Sequence, residues 1–287
     1  MFKRYFITLL LVLAAGTTIA NFYSVYTHNP WTRDGRVNAH IVFIAPRVTG
    51  QVTDIHIVDN SKVSKGDLLF EIDDSLYQVA YHKALASQAQ AKTALDRALN
   101  EEKRTLRLEK LKRGSVPVLT LDNLSNAVEA TKANLSLATA MVEEAKLNLE
   151  HTKVFATTDG FISNLNLPIG SQVVANSPVV ALIDSNSFWV EGYFKETDLE
   201  NVDPQDTAYV SLLADTDQTL KAEVTSIGYG IANQDGTTGN NLLQNVNPNF
   251  QWIRLAQRIP VKVMLKDLPN NIQLRVGMTA SIKIIKD

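Results

Sequence analysis

A chain of 287 residues is long enough for more than one folded unit, and a formal net charge of −2 leaves no broad basic surface for nucleic acid. The absence of cysteine excludes a disulfide framework, a thiolate-ligated metal, a thiol nucleophile and a lipidated N-terminal cysteine. Attachment to a membrane, if it occurs, must come from the polypeptide itself.

The first element supplies such an attachment. Residues 1–4 end in Lys3 and Arg4, and Tyr5 to Tyr26 is an uncharged, mostly apolar stretch. At helical rise residues 5–26 reach roughly 33 Å, enough to cross a bilayer core. The two basic residues are expected to stay cytoplasmic, with the bulk of the chain on the far side. Phe22, Tyr23, Tyr26 and Trp31 would then lie near the far interface as an aromatic belt. A cleaved signal peptide, with Thr18-Ile19-Ala20 as the small-residue site, is the alternative. Apolar character continues past Ala20, which favours a retained anchor.

Residues 27–44 read as a linker and a first barrel strand. Residues 45–74 and 152–185 then share one pattern of alternating apolar and polar positions, the period of half-buried strands. Gly50 aligns with Gly160, Val52 with Ile162, Ile55 with Leu165, Ile57 with Leu167 and Val63 with Val173. One extra residue in the second copy would bring Asp73 opposite Asp184. Turns are marked by Asp59-Asn60, Gly66, Pro168-Ile169-Gly170 and Pro178. The two segments read as halves of one small sandwich.

Between them, residues 75–151 read as two long helices. Ser75-Leu76-Tyr77-Gln78 has the form of a capping box. In the first helix a small-residue stripe runs Ala80, Ala84, Ser87, Ala91, Ala94, Ala98 and then Glu101, Thr105, Leu108. The second keeps an unbroken three-four alternation through Leu121, Leu124, Val128, Thr131, Leu135, Ala138, Val142, Ala145 and Leu149. That alternation is a coiled-coil seam. Arg113 to Thr120, with Gly114 and Pro117, makes the turn, and Thr120 is expected to cap the second helix. A reversal this short makes the helices antiparallel, projecting roughly 50 Å. The coiled coil is thus inserted between two halves of a β-module, with a fixed base and a free tip.

Residues 186–287 return to strands at 188–194, 207–213, 222–227, 259–265 and 278–285, predicting a small antiparallel barrel or sandwich. The Gly- and Asn-rich piece 228–249 reads as a loop. The fold class is therefore mainly β with a long α-helical coiled-coil hairpin: an N-terminal transmembrane helix, a split sandwich and a β-barrel.

Constellations for bond chemistry are missing. The histidines His28, His40, His56, His82 and His151 are scattered, without the i, i+4 spacing of a helical metal site. No nucleophile elbow or phosphate loop occurs, and Gly228-Tyr229-Gly230 lacks the third glycine of a dinucleotide site. Asp73-Asp74 stands at a strand-to-helix junction, where capping accounts for a carboxylate pair as well as catalysis does. No catalytic, cofactor-binding or metal-binding residue is expected.

Val63-Ser64-Lys65-Gly66-Asp67-Leu68-Leu69 in the first β-half is similar to the split lipoyl-like domain of the membrane fusion proteins, the HlyD/EmrA-like periplasmic adaptors. Gln257-Arg258-Ile259-Pro260-Val261 and Leu274-Arg275-Val276-Gly277-Met278 resemble that family's barrel strand and closing signature. Pro30-Trp31-Thr32-Arg33-Asp34-Gly35-Arg36-Val37 resembles the segment after the anchor in p-hydroxybenzoic acid efflux subunits. The resemblance implies an inner-membrane, single-pass adaptor with most of the chain in the periplasm and the barrel near the membrane. It also implies assembly as a trimer or hexamer, an inner-membrane transporter of the aromatic acid exporter type and a TolC-type outer-membrane channel. A major-facilitator pump is the alternative partner.

Many hairpin tips of the family carry an Arg, a Leu four later and a Ser seven beyond that. Arg107 and Leu111 keep the first spacing, whereas Thr120 stands nine beyond Leu111, so the tip is two residues longer. The resemblance makes Arg107, Leu111 and Thr120 the candidate channel-docking residues. The plainer reading of Arg107 is a solvated face shared with Lys103, Arg104 and Lys110. Two other classes stay open: a lipoyl or biotinyl carrier, whose modified-lysine turn is here replaced by the insertion, and an anchored coiled-coil scaffold.

Overall fold

The computed structural model describes Leu10 and residues 13–18, 29–200, 202–230, 256–266, 268–269 and 272–285. Among these, no helix is long and apolar enough to cross a membrane. Of the expected anchor, Leu10 and residues 13–18 are helical. Thr17 and Thr18 there donate their hydroxyl protons to the carbonyls of Leu13 and Ala14. The remainder of 5–26, the belt residues Phe22, Tyr23 and Tyr26, and positions 231–249 of the expected loop lie outside the described residues.

The described chain divides into two compact units, residues 41–184 and the rest. Within 41–184, β2 (Ile41–Ile44), β3 (Gly50–Ile55), β4 (Lys62–Val63) and β5 (Leu68–Ile72) come from the first half. From the second come β6 (Lys153–Phe155), β7 (Gly160–Ser163), β8 (Gln172–Val173) and β9 (Val180–Asp184). They form two four-stranded sheets, ordered β2-β9-β7-β4 and β6-β5-β3-β8, so each sheet holds strands of both halves. Gly50 pairs with Val173 and Gly160 with Val63, the same contact made twice with the halves exchanged. A shared core of Val52, Val63, Leu69, Phe70, Ile72, Ile162, Val173 and Leu182 makes neither half complete alone.

The repeat differs from its sequence reading at two places. Val52 faces Ile72 and Ile162 faces Leu182, so Ile72 corresponds to Leu182 and Asp73 to Ile183. No extra residue intervenes; β3 and β5 instead take up an irregularity between Val52 and Asp54. Ile41–Ile44 pairs with β9, so the sandwich begins at Ile41, ahead of residue 45. The turns follow the repeat through a chemical swap. Asn60 (φ 62°) and Gly170 (φ 87°) are equivalent, as are Gly66 (φ 93°) and Asn176 (φ 63°). These are the residue types that tolerate the left-handed region.

Helices α1 (Ser75–Leu111) and α2 (Val118–Glu150) leave from β5 and return to β6. Ile72 donates its N–H to the Thr152 carbonyl at 2.8 Å, so the insertion departs and returns at neighbouring points. Asp74, not Ser75, occupies the N-cap of α1. The Ser75 hydroxyl donates to Asp73 at 2.6 Å and the Gln78 amide to Asp74 at 2.8 Å, which replaces the expected capping box. Both acids therefore serve the helix start, and the Ser75 hydroxyl and N–H hold the Asp73 carboxyl below its usual range. Pro117 is the N-cap of α2, leaving Thr120 exposed in its first turn rather than capping it.

The seam of α2 is the one read from the sequence, with Val128 and Ala138 buried. On α1 the partner row is Tyr77, Tyr81, Ala84, Gln88, Ala91, Leu95, Ala98, Glu102, Thr105 and Glu109. Ala84, Ala91, Ala98 and Thr105 belong to the expected stripe, whereas Ala80, Ser87, Ala94, Glu101 and Leu108 are exposed. Alanine sits on both rows, so the larger Tyr81 and Leu95 decide which one turns inward. Gln88 reaches across to Thr139 at 3.0 Å.

The second unit is a closed six-stranded barrel, ordered β1-β10-β13-β12-β11-β14. Its strands are β1 (Trp31–Asn38), β10 (Trp189–Lys195), β11 (Thr207–Leu212), β12 (Asp215–Ile227), β13 (Arg258–Leu265) and β14 (Thr279–Ile285). Alternation along each strand puts Val37, Val190, Phe194, Val210, Val224, Val263 and Ile282 inside. Closure removes the sheet edges.

Candidate functional site

The hairpin tip is built by one acid that sequence reasoning passed over. Glu109 sits in the last turns of α1, among charged neighbours that read as an ordinary solvated face. Its Oε1 accepts the Gly114 N–H at 2.7 Å and its Oε2 the Val116 N–H at 3.0 Å. Gly114, at φ 80°, makes the left-handed turn that aims those N–H groups back at α1. These donors hold the Glu109 carboxyl below its ordinary range. The missing signal was an acid five residues ahead of a glycine at a helix end.

This buckle presents an apolar crown. Leu111 is 80% exposed, Val118 73% and Leu119 70%, while Leu108 is half exposed. Arg107 and Thr120 are exposed as well. The structure therefore brings Arg107, Leu111 and Thr120 to the same end of the hairpin, without direct hydrogen bonds among them. Leu108, Val118 and Leu119 join them and were not singled out from the sequence. Large apolar side chains left in water at a projecting tip suit a partner surface.

The barrel carries a second concavity, of about 710 Å³, bounded by Trp31, Arg33, Tyr193, Lys195, Asp198 and Arg258. Arg258 is paired with Asp34, and the Arg33 guanidinium lies 5.4 Å from the Trp31 ring. No cluster of three or more His, Asp or Glu able to hold a metal occurs among the described residues.

Comparison with known proteins covers both units. A family model described as the RND MFP barrel-sandwich hybrid domain matches residues 40–185. One described as the AAEA-like beta-barrel domain matches residues 187–285. A curated protein of Escherichia coli K12, "Uncharacterized protein YdhJ", is 35% identical over 281 residues, which is 98% of this chain and 97% of that one. Among solved structures, the membrane fusion protein Spr0693 from Streptococcus pneumoniae R6 matches with a TM-score of 0.64 and 16% identity, over 90% of this chain and 99% of that one. MacA from Actinobacillus actinomycetemcomitans matches at 0.59 and 22%, over 89% and 81%. Identities this low show a shared fold only.

Proposed function

Because the chain belongs to the membrane fusion proteins, the periplasmic adaptors of efflux pumps, we propose that it joins an inner-membrane exporter of aromatic carboxylic acids to a TolC-type outer-membrane channel. The observation that carries this reading is the hairpin, which leaves a two-half sandwich and returns beside its start, and whose distal end is an exposed apolar crown. In this reading residues 5–26 anchor the chain in the inner membrane, and copies assemble as trimers or hexamers around a conduit. Arg107, Leu111 and Thr120 meet the channel. The aromatic-acid assignment is supported by the AAEA-like barrel match and by the segment Pro30 to Val37. No bond is made or broken by this protein; its work is to hold two membrane partners in register.

The test uses a host that lacks the chain but carries its exporter and channel. Export of p-hydroxybenzoate and cross-linking to the channel should return with the wild-type chain. Arg107→Asp should lose both, since a reversed charge against a partner costs several kcal/mol where an exposed site normally costs no more than about 0.5. Lys92→Asp, exposed midway along α1, should behave as wild type. Equal export by the two variants would remove Arg107 from the docking surface. Unchanged p-hydroxybenzoate export without the chain would remove the substrate assignment.

A further inference from the structure

The barrel's outer wall carries an ordered row that its core does not explain. Across β1, β14, β11 and β12 the register aligns Trp31 with Lys283, Lys283 with Tyr209, and Tyr209 with Lys221. Four neighbouring strands thus present aromatic, lysine, aromatic, lysine side by side, over roughly 14 Å at ordinary strand spacing. All four side chains are exposed, Trp31 by 43% and Tyr209 by 40%, while their strand neighbours Thr32, Ile282, Val210 and Leu220 point inward. Neither lysine makes an ion pair among the described residues. Arg33 adds a third cation above Trp31. Two acids of the wall are paired with other cations, Glu223 with Lys266 and Asp34 with Arg258, while Asp198 lines the concavity beside Trp31 and accepts the Thr197 hydroxyl.

Tryptophan and tyrosine carry an apolar body with a polar edge, and lysine an apolar stem with a charged head. Together they suit a zone that is greasy on one side and anionic on the other. The row begins at Trp31, five residues beyond the end of the expected anchor, and Pro30 is tied into the same barrel end by the N–H of Ile284. We propose that this row seats the barrel on an anionic lipid surface, with the lysines meeting phosphate-bearing headgroups and the rings lying at their level. The occupant is lipid rather than a partner protein, because a belt of interfacial residues round part of the closed barrel, beside the segment read as membrane-entering, matches the headgroup level of a bilayer. The proposal rests on the anchor reading of residues 5–26, and the experiment separates the two.

The absence of native cysteine permits a single reporter. Thr207→Cys, two positions along β11 from Tyr209, and the distant control Asp217→Cys on β12 are each labelled with nitrobenzoxadiazole in the full chain. The labelled proteins are reconstituted with phosphatidylcholine vesicles, with or without phosphatidylglycerol, containing a headgroup spin-labelled lipid. Quenching is expected at 207 and not at 217, and only with phosphatidylglycerol present. Lys221→Gln with Lys283→Gln should weaken the seating equilibrium about thirtyfold, and the arginine pair should restore it. Absence of quenching at 207, equal quenching in neutral vesicles, equal quenching in the glutamine variant, or quenching that requires added transporter would each overturn the proposal. If the chain does not float with neutral vesicles, the anchor reading falls. Flotation with phosphatidylglycerol vesicles that is lost in the glutamine variant would then still support the lipid surface, and no flotation would overturn it.

Discussion

Glu109 and Gly114 make the free end of the coiled coil a built object rather than a frayed one. The carboxylate accepts N–H groups that the chain reversal would otherwise leave to water. Its folded-state pKa is depressed, so its contribution is present above the unfolded carboxylate value and is lost as pH falls through the lower folded value. The tip should therefore be equally ordered at pH 7 and pH 5.5 and loosen only in strong acid. Glu109→Ala should speed amide hydrogen exchange at Gly114 and Val116 roughly tenfold at neutral pH, leaving the rest of α1 unchanged. Unaltered exchange at those two amides would show that the turn holds itself. Arg107 and Leu111 could be nominated through the resemblance to the family's tip pattern. Glu109 could not, because its partners are backbone groups, and one-dimensional patterns record only side chains.

Among the elements, the seam of α2 was legible, though not its cap, because leucine, valine and alanine occupy a single row, and burial then has one solution. On α1 alanine and polar residues compete across two rows, and the inward row is the one that carries the larger Tyr81 and Leu95, while Tyr77 packs against the sandwich core. Tyr77 also donates its hydroxyl to the Thr49 carbonyl at 2.7 Å, tying the helix base to the strand unit. The β-repeat was recognisable from glycine and alternation, but its last strand was displaced by one residue, because an irregularity between Val52 and Asp54 has no sequence marker. Since Ile72 and Thr152 are directly bonded, residues 75–150 should be replaceable by a short Gly-Asn turn. The shortened chain should remain folded by circular dichroism and lose only its cross-link to the channel. A chain that no longer folds would show that the helices supply stability the strands lack.

At the scale of the whole molecule, the described residues form two cores, one in each unit. Phe194 is in the barrel and Leu182 in the sandwich, each almost wholly buried. Phe194→Ala should cost about 3–5 kcal/mol and Leu182→Ala about 2–5 kcal/mol. Each should lower one calorimetric transition and leave the other in place. A single transition that shifts with either variant would mean that the units melt together. The existence of both units was readable from the return of strand patterns after residue 186. Closure of the second into a barrel was not, since a sandwich and a barrel share the same alternation until strand partners are known.

The nesting of the sandwich has a consequence for how the chain reaches its native state. Every pairing between the halves spans the helical insertion, from Glu71 with Lys153 at the inside to Ile41 with Ile183 at the outside. Of the first half, only β3 and β5 pair with each other; β2 and β4 have nothing to pair with until the second half has been synthesised, and they must wait as unpaired strand. The hairpin shortens that wait. Its own contacts are between helices joined by a tight turn, and once zipped they deliver β6 to β5 at almost no further loop-closure entropy. The remaining pairs then close outward in order. The coiled coil is thus a folding tether as well as a projecting arm. A flexible linker of equal length in its place would leave the same strands to find one another by diffusion, slowing refolding more than it lowers stability.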